Sequence, residues 1–327
     1  MPEQPTPALT ASQRLQHFPI ALIAMVMGLG GLTLTWQKAV HTLGMSPLVA
    51  RILLVVTACV LLMIVTVYLL KILRFSQEVM DEFNHPIKIS FFPAFSISLV
   101  LIATATLEFS PALSRYLWIC GAVIHLLLTL HVITQWIHHS RFQVQHSTPA
   151  WFIPVVGNII VPIAGVQHGY VEASWFFFSI GLLYWLVLKT LIFNRILFHD
   201  PLPEKMLPTL FIMIAPPAMG FISYLQLNQG VVDNFARMLY YAAMFITLLL
   251  FTQLPRFSRI RFFVSWWAYS FPLAAFSIAT QIMLIQTGSA FFMLLSWLSL
   301  IVVTFVVCLL LLKTLKAIIS GGLFQPD

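Results

Sequence analysis

Long apolar runs separated by short polar segments make up most of the chain. Runs such as Leu61 to Leu70 and Leu300 to Leu312 are almost continuously apolar and lack the period-two alternation of a barrel strand. A helix that crosses a bilayer needs about 20 mostly apolar residues, because its backbone amides must be satisfied without water. The pattern predicts an all-α integral membrane protein with ten spans: 17–36, 48–71, 87–107, 112–136, 150–167, 173–194, 206–227, 234–253, 263–285 and 289–312.

Composition excludes most other classes of protein. Of the 327 residues, 60% are hydrophobic and 8% are charged, against roughly 25% charged in a soluble domain. A soluble enzyme, a disulfide scaffold and a disordered protein are therefore set aside. The formal charge of +7 does not indicate nucleic-acid binding, because basic residues stand singly between apolar runs. The three cysteines lie in separate apolar runs, so we expect small core residues rather than disulfides or a zinc site.

The basic residues indicate the topology. Thirteen Lys and Arg fall in segments on one side of the predicted spans and four on the other, and the positive-inside rule then places both termini in the cytoplasm. We predict a disordered cytoplasmic tail at 1–16, a ten-helix transmembrane channel domain at 17–316 and a second cytoplasmic tail at 317–327. A cleaved signal peptide is the alternative for the first span, but its apolar segment runs past the usual 7–15 residue core.

Prolines recur in the odd-numbered spans and define an internal repeat. They are Pro19, Pro93, Pro154, Pro216 and Pro272, with intervals of 74, 61, 62 and 56 residues. Since proline removes a backbone donor, it bends a membrane helix. The spacing predicts five tandem helical hairpins, each with a kinked and a straight helix. We interpret this as an inner ring of five kinked helices around a central path, covered by an outer ring of five; packing needs alone are the alternative explanation.

Small polar residues concentrate on the odd spans, and ionisable groups are absent from their midplanes. Proton-coupled pumps usually need such groups, so we expect passive conduction through an uncharged lumen. Helix N-termini that converge at the proline breaks would favour anions. These observations do not exclude a pore for a neutral solute.

Two segments carry a resemblance to a known family. The stretch WWAYSFPL at 266–273, the segment TPAWFIP at 148–154 and the five-proline pattern resemble bacterial TehA proteins and the plant slow anion channels, also called the tellurite-resistance/dicarboxylate transporter family. The resemblance covers about 17–322. It implies five hairpins around a pore, a homotrimer with one pore per subunit, a cell (inner) membrane location, and conduction of chloride and nitrate. In that family the phenylalanine aligned with Phe271 closes the pore.

Phe271 also has a physical reason to be the gate. It precedes Pro272, and the residue before a proline is disfavoured in helical geometry, so the ring could project into a lumen. Phe18, Phe92 and Phe152 occupy similar places in their repeats. We interpret them as candidate constrictions, with packing between neighbouring inner helices as the alternative.

Other candidate chemistry is weak. Ten histidines lack the spacing of a metal or haem site, and no cofactor is predicted. We expect His125 to hydrogen-bond a neighbouring helix. Lys71 and Arg74, with the cluster Arg256, Arg259 and Arg261, are interpreted as anchors that reach the lipid headgroups.

Three functions follow from these observations. The first is an anion channel whose partners are small inorganic anions and the lipid bilayer. The second is a proton-coupled carrier of dicarboxylates or tellurite-type oxyanions. The third is an inert or regulatory membrane protein. An enzyme is not predicted, because the sequence has no nucleophile–base pair and no phosphate-binding loop.

Overall fold

The computed structural model describes residues 10–324, and within that range its regular secondary structure is helical. Residues 1–9 and 325–327 of the predicted tails lie outside the described residues. The apolar segments are α1 (Ile20–Leu43), α2 (Pro47–Arg74), α3 (Lys88–Thr106), α4 (Pro111–His138), α5 (Pro149–Gly165), α6 (Val171–Phe198), α7 (Glu204–Leu227), α8 (Asn234–Phe251), α9 (Val264–Thr287) and α10 (Ala290–Ile319).

By length and composition, nine of these segments could cross a membrane, counted over residues 10–324. The exception is α5, which is shorter and is divided into pieces, with Pro154 in the first turn of one and Pro162 as the first residue of the next. This confirms a multi-pass helical membrane protein. Most predicted spans end within a few residues of the helices, because the length of an apolar run is set by the thickness of the bilayer.

The odd-numbered helices all start in the same unusual way. Each begins with a 3₁₀ segment and continues as an α-helix, whereas α2, α4, α6, α8 and α10 are α-helical from their first residue. The 3₁₀ segments are Ile20–Ile23, Lys88–Phe91, Pro149–Phe152, Glu204–Ile214 and Val264–Tyr269. The proline pattern predicts that kinked and straight helices alternate. In the structure, helices with a 3₁₀ start alternate with helices that are α-helical from their first residue.

Burial separates the same two sets. In the most apolar stretch of α1, α3, α7 and α9, 67% to 83% of residues are buried, against 17% to 39% in the even-numbered helices. Each odd helix packs on the even helix that follows it. In addition, α1 contacts α3, α3 contacts α5, α5 contacts α7, α7 contacts α9, and α9 contacts α1.

The 3₁₀ segments follow the same order, each touching the next and the last touching the first. All five odd helices therefore start at one end of the bundle, which we call the proximal end. The opposite end is the distal end.

Short turns at the distal end have clear stop and start signals. Gly44 ends α1 with a left-handed φ of 67°, and Gly288 ends α9 with a φ of 61°. Such torsions favour glycine because it has no β-carbon. The hydroxyls of Ser46 and Ser289 then accept hydrogen bonds from the first turns of α2 and α10, as N-cap residues do.

Three expectations about single residues or short segments are wrong. Residues 11–16 form a helix capped by Thr10, although they were expected to be disordered. Lys71 does not reach headgroups, since it is 1% exposed. Cys59, Cys120 and Cys308 are exposed on even-numbered helices and are not core residues.

Candidate functional site: a constriction at the proximal end

A small cavity of about 40 Å³ lies among the starts of all five odd-numbered helices. Its walls are almost entirely apolar, and a space of this kind and size tends to stay dry. The lining residues are Ala21, Ala24 and Met27 of α1, Phe91 of α3, Ile153 of α5, Thr209 and Ile212 of α7, and Val264, Ser265, Trp267, Ala268, Phe271 and Pro272 of α9.

Phe271 lies at the point where α9 changes from 3₁₀ to α-helix, as the second residue of the α-helical part. Its side chain is 6% exposed and forms part of the cavity wall. The structure thus places the predicted gate residue in the wall of a cavity that all five odd helices line. Its role as a gate stays a prediction.

Two glycines of α1 allow α9 to approach this closely. A β-carbon added at Gly31 would lie 2.9 Å from Cβ of Ala274 and 3.2 Å from Cδ2 of Phe271. A β-carbon at Gly28 would overlap the side chain of Ser270. The Phe271 ring therefore lies against backbone that carries no side chain, and any larger residue at position 31 would displace one of the two helices.

The backbone at the prolines differs from the prediction. Phe92 precedes Pro93 with φ −60° and ψ −42°, and Ile153 precedes Pro154 with φ −56° and ψ −53°. Phe271 is itself within an α-helix. These residues are helical, so the expected departure from helical geometry is wrong. Since each proline lies in the first turn of an α-helical piece, its missing N–H leaves no intrahelical bond unmade.

The three candidate constriction residues have other neighbours. Phe18 stacks on Phe324 with ring centroids 6.2 Å apart. Phe92 packs edge-on against Phe83 at 4.9 Å. Phe152 is 1% exposed, and none of the three is among the residues lining the cavity.

Phe91 lines the cavity in place of Phe92, together with Met27 and Ile212, and sequence reasoning missed all three. To find them, one must know which face of each odd helix points towards the cavity. The spacing of the prolines does not give that orientation.

Small polar residues of the odd helices mostly bind neighbouring helices. Thr33 and Thr57 hydroxyls are 3.1 Å apart, joining α1 to α2. Ser277 accepts from Ser299 of α10 at 3.0 Å. The walls of this cavity are mostly apolar, and most of these hydroxyls have partners within the bundle, whereas the Ser90 hydroxyl has none among the described residues.

His125 is fully buried in α4, and its Nδ1 lies 2.9 Å from the Ser96 hydroxyl of α3. The predicted interhelical hydrogen bond is confirmed. Among residues 10–324, no three His, Cys, Asp or Glu side chains lie close enough together to hold a metal ion.

Charge is scarce around the cavity and present beside it. A surface cleft at the start of α7 is lined by Glu204, Leu207, Arg256 and Arg259, among others. Both arginines are exposed, so they contribute a positive field at the proximal end that salt screens.

Comparison with known proteins gives a consistent group of relatives. A sequence model described as "voltage-dependent anion channel" matches residues 17–315. S-type anion channel SLAH3 of Arabidopsis thaliana is 29% identical over 280 residues, which are 81% of this chain and 43% of that protein. Guard cell S-type anion channel SLAC1 of the same plant is 25% identical over 276 residues, 81% of this chain and 50% of that protein.

A bacterial relative covers more of its own length. The tellurite resistance protein TehA homolog of Haemophilus influenzae is 24% identical over 262 residues, 79% of this chain and 78% of that protein. By contrast, the chain spans about half the length of the plant relatives it matches.

Proposed function

Because this chain belongs to the voltage-dependent anion channel family, we propose that it is an anion channel that conducts small monovalent anions passively through a central pore. The family predicted from the segment at 266–273 is thereby confirmed. Chloride and nitrate are the anions we propose. The pore runs between α1, α3, α5, α7 and α9, as an inner ring, and the even-numbered helices form the outer ring.

The observation that supports this most is the shared constriction. Residues from all five odd helices line one cavity, and Phe271 forms part of its wall. Five unrelated packing contacts would have no reason to converge on one apolar space. We propose that the Phe271 ring closes the pore by steric occlusion and by excluding water, and that rotation of the side chain opens it.

Anion preference rests on partial charges. The α-helical parts of the five odd helices begin near the cavity level, and a helix N-terminus carries about half a positive charge. The exposed Arg256 and Arg259 lie at the same end. Together these groups raise the local anion concentration without placing a full charge in the path.

Placement and assembly follow from the same proposal. The proximal end faces the cytoplasm, as do both termini, in a cell membrane. The chain assembles as a homotrimer with one pore per subunit, which rests on family resemblance. Phe18, Phe92 and Phe152 are kept as candidate secondary constrictions. The points where the inner helices change geometry are Pro93, Pro154, Pro216 and Pro272, whereas Pro19 precedes α1 in an extended conformation and does not kink it.

The test of the gate is truncation of its side chain. We expect Phe271→Ala to give a large constitutive anion current in voltage-clamped cells, because removal of the ring opens the apolar constriction. Phe276→Ala is the matched control, since Phe276 lies on the same helix, is 4% exposed and stacks on Tyr240. A well-expressed Phe271→Ala protein as silent as the parent would remove the gate assignment.

The name of the bacterial relative, a tellurite resistance protein homolog, keeps the carrier alternative open. The two functions differ in how the rate of anion transport into liposomes depends on the driving force. A channel gives a rate proportional to the driving force without a pH gradient. Saturable uptake that requires a proton gradient would identify a carrier.

A further inference from the structure

Arg195 is a buried cation in the last turn of α6, and two of its three guanidinium nitrogens have no acceptor among the described residues. It is 3% exposed. Its Nε and Nη1 atoms have no hydrogen-bond partner among residues 10–324. The ion pairs of that part of the chain are His41–Glu108 and Lys71–Glu82, so Arg195 is in neither.

The repeat shows how unusual this is. Lys71, Gln135 and Arg195 are each the fourth residue from the end of a 28-residue outer helix. Lys71 donates to Phe18 O at 2.8 Å and pairs with Glu82 at 3.1 Å. Gln135 is uncharged, and its Oε1 accepts from Arg141 at 2.8 Å. Of these three equivalent side chains, Arg195 alone carries a charge without a countercharge in the described chain.

The segment that α6 packs against contains further polar atoms without a partner among the described residues. Near its end, α6 packs against the 3₁₀ segment Pro149–Phe152 that opens its own hairpin. In that segment Trp151 has a buried Nε1 without a partner, and Thr148 just before it has a buried hydroxyl without one, within residues 10–324. An indole N–H can only donate, and a hydroxyl can donate.

We propose that Arg195 is the centre of an anion-binding site at the proximal end of the third hairpin, apart from the cavity at Phe271. A guanidinium keeps its charge at any physiological pH, and a buried charge is strongly unfavourable unless it is paired. A monovalent anion supplies the missing acceptor. It is either a small dissolved ion, such as chloride or nitrate, or the phosphate of a lipid headgroup.

This site goes beyond the conduction pathway. Arg195 is not among the residues that line the cavity. The bound anion stabilises the contact between α6 and the start of α5, whether or not ions pass through the pore.

The test measures thermal unfolding of the purified full-length protein in a neutral detergent. Sodium gluconate, whose anion is too bulky for a buried site, is exchanged for chloride or nitrate at constant ionic strength. We expect the midpoint of the parent to rise and saturate. Arg195→Gln is expected to show no such rise and, in gluconate, to unfold at a higher temperature than the parent, because the unpaired charge is gone.

Two comparisons sharpen the result. Gln135 occupies the equivalent position in the second hairpin, so the fold accepts glutamine there. Arg74→Gln is the matched control, because Arg74 is an exposed arginine in the last turn of α2, and it should keep the rise of the parent. If Arg195→Gln does not fold, Arg195→Lys is titrated instead; we expect a weaker half-saturation, and an unchanged value would overturn the proposal.

A second arm identifies the source of the anion. Phosphatidylglycerol is added to the detergent-purified protein in gluconate. A rise with this lipid but not with chloride or nitrate, lost in Arg195→Gln, assigns a lipid phosphate. Equal responses of the parent and Arg195→Gln to all three additions would overturn the site. Since no current is measured, failure here is distinct from a silent Phe271→Ala.

Discussion

At the scale of single residues, the absence of a side chain at Gly31 matters as much as the ring of Phe271. The two lie against each other, and the position of the ring depends on how closely α1 and α9 approach. Exchanges at this position therefore test the packing that holds the proposed gate in place.

We expect Gly31→Ala to lower stability by about 1–3 kcal/mol, the usual cost of overpacking a core. The added β-carbon would lie 2.9 Å from Ala274 Cβ, so a helix must move. Gly220→Ala in α7 is the control, because its nearest contact would be an ordinary 3.6 Å and alanine favours a helix by about 1 kcal/mol. Thermal unfolding in detergent measures both, and equal effects would contradict the close packing.

His168 gives a pH dependence at the distal end. Its Nε2 lies 2.9 Å from the Ser114 hydroxyl. Burial and then the nearby Arg115 charge lower the pKa of His168 below its ordinary value of 6.5. The folded protein thus favours the neutral ring, and this contribution to stability is complete above pH 6.5 and is lost as the pH falls below it.

We therefore expect the unfolding temperature of the parent to fall more steeply between pH 7 and pH 5 than that of His168→Gln. The effect is small, because much of the ring is solvent-accessible and screened. Gln167→Ala, an exposed and non-ionisable change beside His168, is the control and should follow the parent. A steeper fall in His168→Gln than in the parent would reverse the sign and refute the assignment.

At the scale of elements, a buried ion pair fastens the short helix Ser76–Asn84 to the end of α2. Lys71 and Glu82 side chains are 2% and 10% exposed and lie 3.1 Å apart. Tyr68 also donates to Glu82 at 2.7 Å. Through the bond from Lys71 to Phe18 O, the start of α1 belongs to the same unit.

Glu82→Gln should destabilise the protein by about 3–5 kcal/mol, because it leaves the Lys71 charge buried and unpaired. Adding Lys71→Met to that variant should recover most of the loss. Asp81→Asn, an exposed change on the same short helix, should stay within about 0.5 kcal/mol of the parent. Chemical denaturation in detergent compares the three, and a double variant no better than Glu82→Gln would contradict the pairing.

Elements were the most predictable level of this molecule. A membrane-spanning helix must be apolar over the thickness of the bilayer. Runs such as Leu300 to Leu312 therefore predict a helix without any knowledge of tertiary contacts. The 3₁₀ starts were not predictable, because their geometry depends on the neighbouring 3₁₀ segments that they touch. The burial of Lys71 could not be predicted, because its partner Glu82 lies in the short polar helix Ser76–Asn84, which hydropathy treats as solvent-exposed.

At the cavity, the sequence identified Phe271 but missed most of the other lining residues. Phe271 was found from its motif and lies on the cavity. Phe92 is a predicted constriction residue because it adjoins Pro93, yet one residue on a helix is a rotation of about 100°. That rotation turns Phe92 towards Phe83 and leaves Phe91 on the cavity.

At the scale of the whole molecule, the first and last hairpins are neighbours. Thr35 of α1 donates to Ala274 O of α9 at 3.3 Å across 239 residues of sequence. The Phe18 and Phe324 rings stack at the proximal end, so the two ends of the described chain meet there.

This long-range contact sets an order for biogenesis. During synthesis α1 enters the bilayer early, and its glycine face must wait for a partner that leaves the ribosome some 240 residues later. Until then, Gly28 and Gly31 lack the α9 side chains that pack on them in the folded protein. The contact between α9 and α1 therefore forms late in assembly, and a nascent chain truncated before residue 264 would hold every earlier hairpin and still lack the helix that packs on Gly28 and Gly31.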